Sequence, residues 1–213
     1  TVVLKPAEQT PLTALFLGEL IRRVGFPDGV INIVPGLGES AGAALASHPD
    51  VDKIAFTGST EVGKKIISAA AGNLKRVTLE LGGKSPMVVF PDADLDRVIP
   101  GVTRGAFFLQ GQNCMAGTRL FVHSDIFDKV VSRVGDMANM FRIGPGMSPD
   151  SDLGPLISAE QRERVMTYVA PGRKSGAELV CGGEALPGRG FFVRPTLFSK
   201  TSMDMQIARE EIF

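Results

Sequence analysis

Within residues 1–74 a short β-branched run gives way three times to a helix-patterned stretch, and a fourth such run follows at residues 75–83. "TVVLK" is closed by Pro6 and leads to "TPLTALFLGELIRRVG"; "GVINIVPG" leads to "GESAGAALASHP"; "KIAFTG" leads to "STEVGKKIISAAAG"; "KRVTLELGG" ends in a double glycine. No other feature constrains the chain as much. A helix between two strands returns the chain to the same end of the sheet, so these strands pair in parallel. Continuous apolar strands further predict helices over both faces of the sheet. In the first helix Thr10 is the predicted N-cap, Pro11 the first helical residue and Gly25 the stop.

A second α/β unit is predicted after "LGGKSP". It opens with the strand "PMVVF" and a helix in "DADLDRVIPGVTRGAFF" that runs to about Gly111. "RLFVH" reads as a strand and "SDIFDKVVSRVGDMANM" as a helix capped by Ser124. "SAEQRERVMTYVAPGRKSG" is a further helix, with Ser158 and Gln161 spaced as a capping box. "AELVCGG" and "GFFVRPTLF" read as closing strands.

The 213 residues are ample for a buried core, and 44% apolar against 22% charged is an ordinary globular mix. The 23 basic and 23 acidic residues cancel, which speaks against a nucleic-acid-binding surface. No apolar run approaches the ~20 residues of a membrane span, and no basic-then-apolar leader opens the chain. Cys114 and Cys181 lie too far apart for a CxxC pair, and only His48 and His123 accompany them. Neither a disulfide framework nor a metal site is expected, and a reducing, cytoplasmic setting fits. The chain starts inside a strand-like run and stops at "REEIF" without a termination signal, as a piece of a larger protein would.

Three segments carry possible chemistry. In "AFTGSTEVG" a strand runs into Gly58, and Ser59 or Thr60 can cap the next helix; such a junction aims N–H groups and a helix dipole at one spot, suiting a phosphate. An ordinary capped turn fits it equally. "PGLGESAG" lacks the GxGxxG spacing and is a weak phosphate signal. In "TLELGGKSP", Glu80 sits at a strand's C-terminal end, the usual ligand side of a parallel sheet, where partial desolvation would make a carboxylate a general base. A solvated strand-end glutamate is the plain alternative. In "AFFLQGQNCMAGTRLF", Cys114 lies among small residues that leave room for access and for oxyanion donors, although a lone cysteine is also common core filler.

In this order the motifs resemble the NAD(P)-dependent aldehyde dehydrogenase superfamily. "LELGGKSP" is similar to its glutamate signature and "FFLQGQNCMAG" to its cysteine signature, with "KPAEQTP" and "EEIF" similar to flanking motifs. The resemblance implies a Rossmann-like parallel-sheet coenzyme domain, of which residues 1–82 would be part, and an α/β catalytic domain, of which residues 83–213 would be part. It implies Cys114 as the nucleophile, forming a thiohemiacetal and then a thioester, and Glu80 as the general base. For NAD it implies Lys5 and Glu8 at the adenosine ribose, Gly58 and Ser59 at the pyrophosphate, Leu81 at the nicotinamide, and Glu211 with Phe213 at the nicotinamide ribose. Glu8 would repel a 2′-phosphate and so favour NAD over NADP. The backbone N–H of Cys114 would be one oxyanion donor; the family's second, an asparagine, has no counterpart here, and Asn113 is not its equivalent. Phe107, Phe108 and Met115 are candidates for lining an aldehyde tunnel, and Cys181 is expected to be structural. An aldehyde substrate and a homo-oligomer of the full chain are implied. A CoA-acylating semialdehyde dehydrogenase and a catalytically silent structural or binding relative are the competing readings. The retained Glu80 argues against the first, and the pair Cys114 and Glu80 against the second.

Overall fold

The structure, a computed structural model, describes residues 1–213. The chain divides between Leu81 and Gly82 into two compact units, Thr1–Leu81 and Gly82–Phe213.

The first unit follows the βα alternation of its sequence. Strand β1 (Val2–Leu4) leads to α1 (Leu12–Arg23) and to β2 (Ile31–Ile33), which pairs with β1 in parallel. One π-helical turn at Gly38–Gly42 runs into α2 (Ala43–Ser47). Then come β3 (Lys53–Gly58), α3 (Thr60–Ala70) and β4 (Arg76–Leu81), with β3 and β4 parallel and in register from Lys53↔Arg76 to Gly58↔Leu81. Ser59 accepts from the Val62 N–H at 3.3 Å and caps α3, satisfying one of the donors that a helix start leaves open. The buried Lys75 donates to the carbonyls of Ala46 and His48 at 2.8 and 2.7 Å. Its charge thereby meets the negative C-terminal end of α2 and fastens that helix to the start of β4.

Two expectations are corrected here. Thr10 does not cap α1: the N-cap is Pro11, without a side-chain hydrogen bond, and the helix begins one residue later at Leu12. The predicted cover on both strand faces is not supplied within this unit. The side chains of β1 are exposed, and β3 and β4 alternate between half-buried and exposed positions.

In the second unit β5 (Pro86–Val89) pairs in parallel with β6 (Arg119–Val122), with α4 (Leu95–Phe107) between them. After α5 (Phe127–Asn139) and α6 (Ala159–Lys174), β7 (Glu178–Cys181) pairs antiparallel with β8 (Leu197–Ser199), and α7 (Gln206–Arg209) follows. The core is a cluster of Val89, Ile99, Val102, Val130 and Val134, one strand residue and two helix faces at helical spacing. No helix of the chain is long and apolar enough to cross a membrane.

Four further readings change. The helix predicted to reach Gly111 ends at Phe107, and a tight turn at Phe108–Gly111 follows, with Leu109 and Gln110 in left-handed backbone. His123, not Ser124, caps the next element: its Nδ1 accepts from the Asp125 N–H, a 3₁₀ turn occupies Ser124–Ile126, and α5 starts at Phe127. The capping box is only half made. Ser158 accepts from the Gln161 N–H at 3.1 Å, but the Gln161 side chain turns to the Ile212 and Phe213 carbonyls. The predicted strand "GFFVRPTLF" shrinks to β8 and an isolated bridge between Ala185 and Val193. Pro195, with no N–H to give a ladder, interrupts it.

Candidate active site

Two of the predicted coenzyme residues meet in the first unit. Lys5 follows β1, and its Nζ donates to the carbonyls of Pro6 (2.6 Å) and Gly36 (2.9 Å) and stands 3.5 Å from Glu8 Oε1. Glu8 Oε1 in turn accepts from the Gly38 N–H at 2.5 Å. Backbone N–H groups, its own and that of Gly38, hold the Glu8 carboxyl below the usual carboxylate range, with Lys5 adding to the effect. Beside it lies an open cavity of about 250 Å³, lined by Pro6, Ala7, Glu8, Pro11, Pro35, Gly36 and Leu37. The segment Gly36–Gly38, which as sequence was only a weak phosphate signal, is thus the partner of Lys5 and Glu8.

Gly58 and Ser59 stand at the end of β3 where α3 begins. Ser59 spends a lone pair on capping, and its hydroxyl hydrogen stays available for a phosphate oxygen. Glu61, in the first turn, is tied to Lys65 at 2.9 Å. Glu80 lies on the neighbouring strand opposite Thr57, and Leu81 opposite Gly58. Leu81 packs its side chain against Gly63 of α3, where a Cβ would stand 2.8 Å from Leu81 Cδ2. Glu80 points to the other face and is exposed, so this unit by itself does not provide the desolvation expected of a general base.

In the second unit Cys114 sits on a loop whose backbone is unusual. Leu109 (φ 53°, ψ 37°), Gln110 (φ 61°, ψ 23°) and Gly111 (φ 77°) are consecutive left-handed residues, two of them bearing a Cβ; such backbone persists only where its surroundings enforce it. Asn113 then organises the turn. Its Oδ1 accepts from the Met115 N–H at 3.0 Å and lies 3.9 Å from the Cys114 thiol, while its carbonyl accepts from the Ala116 N–H. The Gly117 N–H donates to Gly105 and the Thr118 N–H to Ala116. Between residues 114 and 118 only the Cys114 N–H has no partner within the chain. The thiol itself is half-buried. The candidate nucleophile and an amide N–H without a partner in the chain therefore belong to one residue.

Glu211 and Phe213 are carried by the segment after α7, which one face of α6 grips. Arg164 donates to the Glu211 carbonyl at 2.8 Å, Gln161 to the Phe213 carbonyl at 2.7 Å, and the Tyr168 hydroxyl to Glu210 Oε2 at 2.8 Å. Gln206 also donates to Glu210, and these bonds hold the Glu210 carboxyl low. The Glu211 carboxylate lies where a side chain on Gly82 would have to stand.

Sequence reasoning passed over Lys84. Burial, with Arg119 as the next cause, pushes its ammonium down to about 8, against the pull of Glu211 and Glu210. Its only signal was adjacency to "LGG". Of the candidate tunnel residues, Phe107 lines an open apolar cavity of about 470 Å³ with Val102, Leu153 and Leu156, and meets Phe141 edge-on at 6.3 Å. Phe108 and Met115 are exposed. Cys181 is buried at the end of β7 and burial raises its thiol.

A profile of the aldehyde dehydrogenase family matches residues 1–213. The chain is 55% identical over 214 aligned positions to aldehyde dehydrogenase 1A1 of Bos taurus, covering all of this chain and 43% of that protein. It is 54% identical to retinal dehydrogenase 2 of Mus musculus, covering 41% of that protein. Among solved structures, the NAD+ complex of an aldehyde dehydrogenase from Bacillus cereus superposes with a TM-score of 0.98 at 50% identity, over all of this chain and 43% of that one. The chain thus spans about two fifths of the length of the relatives it matches.

Proposed function

The chain belongs to the aldehyde dehydrogenase family and has part of that family's α/β fold; from that premise we propose that the protein oxidises an aldehyde to a carboxylic acid with NAD, using Cys114 as nucleophile and Glu80 as base. The observation that carries the reading is the Cys114 loop, where the backbone N–H of Cys114 is the one amide between residues 114 and 118 left unspent.

The Cys114 thiolate adds to the aldehyde carbon, a C–S bond forms, and the resulting oxyanion takes a hydrogen bond from the Cys114 N–H. Bound NAD supplies the acceptor for the hydride that leaves this carbon as the oxyanion collapses to a thioester. A thiolate suits this step because it is strongly nucleophilic near neutral pH, and because the sulfur later leaves readily. Glu80 takes a proton from water as the water attacks the thioester; the C–S bond breaks, and the acid and the Cys114 thiolate separate. The residues present fit the coenzyme: Glu8, ionised well below neutrality, faces the 250 Å³ cavity as an acceptor for ribose hydroxyls and opposes a 2′-phosphate. Ser59 and the start of α3 suit a pyrophosphate, and Glu211 suits the second ribose.

The test is NADH formation by the full chain over a panel of aldehydes, beside Cys114→Ser. NADH from the wild type and none from the variant supports the reading. Undiminished NADH from Cys114→Ser refutes it, and CoA-dependent rather than hydrolytic turnover would move it to the acylating alternative.

A further inference from the structure

The strained turn before Cys114 needs something to hold it, and two glutamines two residues apart supply it. The Gln112 side-chain Oε1 accepts from the Ile157 N–H at 3.0 Å, across 45 positions of sequence. Gln110, with its amide turned so that both ends are satisfied, accepts from the Gly154 N–H at 2.9 Å and donates to the Leu109 carbonyl at 3.1 Å. Both therefore dock on one segment, residues 154–157, on amides that flank Pro155.

That segment is fixed independently of the loop. Leu153 and Leu156 are buried, the Leu153 carbonyl accepts from the Gly144 N–H at 3.0 Å, and the Leu156 N–H donates to Phe191 at 2.9 Å. A rigid backstop thus faces a loop that would otherwise relax, because left-handed Leu109 and Gln110 are unfavourable for residues bearing a Cβ. Downstream, the Gly117 N–H donates to the Gly105 carbonyl and ties the loop to α4. Cys114 lies between these two moorings, three residues before Gly117 and two after Gln112.

We propose that Gln112, supported by Gln110, is a positioning residue for Cys114: by accepting from the Ile157 N–H it holds the strained turn in place, and so sets the thiol and the Cys114 N–H for attack. The inference rests on the reading of Cys114 as nucleophile. It concerns the acceptor oxygen of Gln112, not its amide nitrogen, and this gives the test its shape. Gln112→Met keeps the length and loses the acceptor, whereas Gln112→Glu keeps the acceptor.

In the full chain, Gln112→Met is expected to lower kcat and the second-order rate of iodoacetamide labelling at Cys114, each by about tenfold, the size of one lost hydrogen bond in a site where position decides rate. KM for NAD should stay within about twofold, because the loop's moorings do not involve Lys5, Glu8 or Ser59. Gln112→Glu should stay within about threefold of wild type when both rates are read on their alkaline plateaus, where the added charge no longer limits thiolate formation. Wild-type labelling and kcat in Gln112→Met overturn the proposal, as does a tenfold loss in Gln112→Glu, so either variant decides even if the other fails to fold. Cys114→Ser separates the two claims. If it is inactive while Gln112→Met behaves as wild type, only the positioning role falls. If it retains dehydrogenase activity, the nucleophile reading falls and takes the positioning role with it.

Discussion

The double glycine of "LELGGKSP" offers a test in which two adjacent substitutions of the same kind should differ completely. A Cβ on Gly82 would lie inside the van der Waals radius of the Glu211 carboxylate, whereas a Cβ on Gly83 would meet nothing within 4 Å. Ordinary contact needs about 3.5 Å, so Gly82→Ala must displace the Glu211 carboxylate by roughly 1 Å or more, its other neighbours being the bonds of α6 to the surrounding backbone. If Glu211 holds the nicotinamide ribose, the hydrogen bond lost is one to a charged group, about 1.5–3 kcal/mol, or roughly a 10- to 150-fold rise in KM for NAD. Because the obstructing atoms belong to a flexible side chain, the thermal midpoint should barely move. Gly83→Ala, whose backbone φ is not left-handed, should leave KM unchanged and stabilise slightly through the unfolded state. Coenzyme titration of the full chain with both variants reads this out. Equal KM values in Gly82→Ala and Gly83→Ala would refute the placement of Glu211 at the coenzyme.

Ile99 is 1% exposed at the centre of the valine-rich core, so Ile99→Ala is expected to cost about 2–5 kcal/mol in denaturant unfolding; a loss under about 1 kcal/mol would mean that this cluster does not hold the unit together. Lys84 is held at about 8 in the folded protein against 10.5 unfolded. The unfolded chain therefore binds the extra proton between pH 8 and 10.5, and the Lys84 contribution to stability rises with pH across that window and is flat below it. Lys84→Met should abolish that rise in a pH series of unfolding midpoints, and a parallel pH dependence in wild type and variant would contradict the assignment.

What the sequence disclosed was local. The βα alternation, the Ser59 cap and the parallel pairing of "KIAFTG" with "KRVTLELGG" depend on neighbours within a few residues or on a repeated pattern, and the structure has all three. The features that escaped reading depend on distant partners. Gln161 was spaced for a capping box, but its side chain finds carbonyls 51 and 52 positions away. Gln112 reaches Ile157, and nothing in "GQNC" announces it. Leu109 and Gln110 are residues that ordinarily avoid left-handed backbone, so only Gly111 hinted at the turn that ends α4 early. "GFFVRPTLF" has strand composition throughout, yet Pro195 divides it between the bridge at Val193 and β8. Candidate site residues were therefore legible as motifs, while their supports were legible only in three dimensions.

In the proposed reaction Cys114 carries the acyl group and Glu80 directs its release. Glu80→Gln in the full chain, mixed with aldehyde and NAD, tests both at once: removal of the base should let the thioester accumulate. The expected result is a burst of about one NADH per active site, with the acyl mass found by mass spectrometry on the peptide containing Cys114. NADH formation with no adduct on that peptide, or an adduct on another residue, would contradict the account.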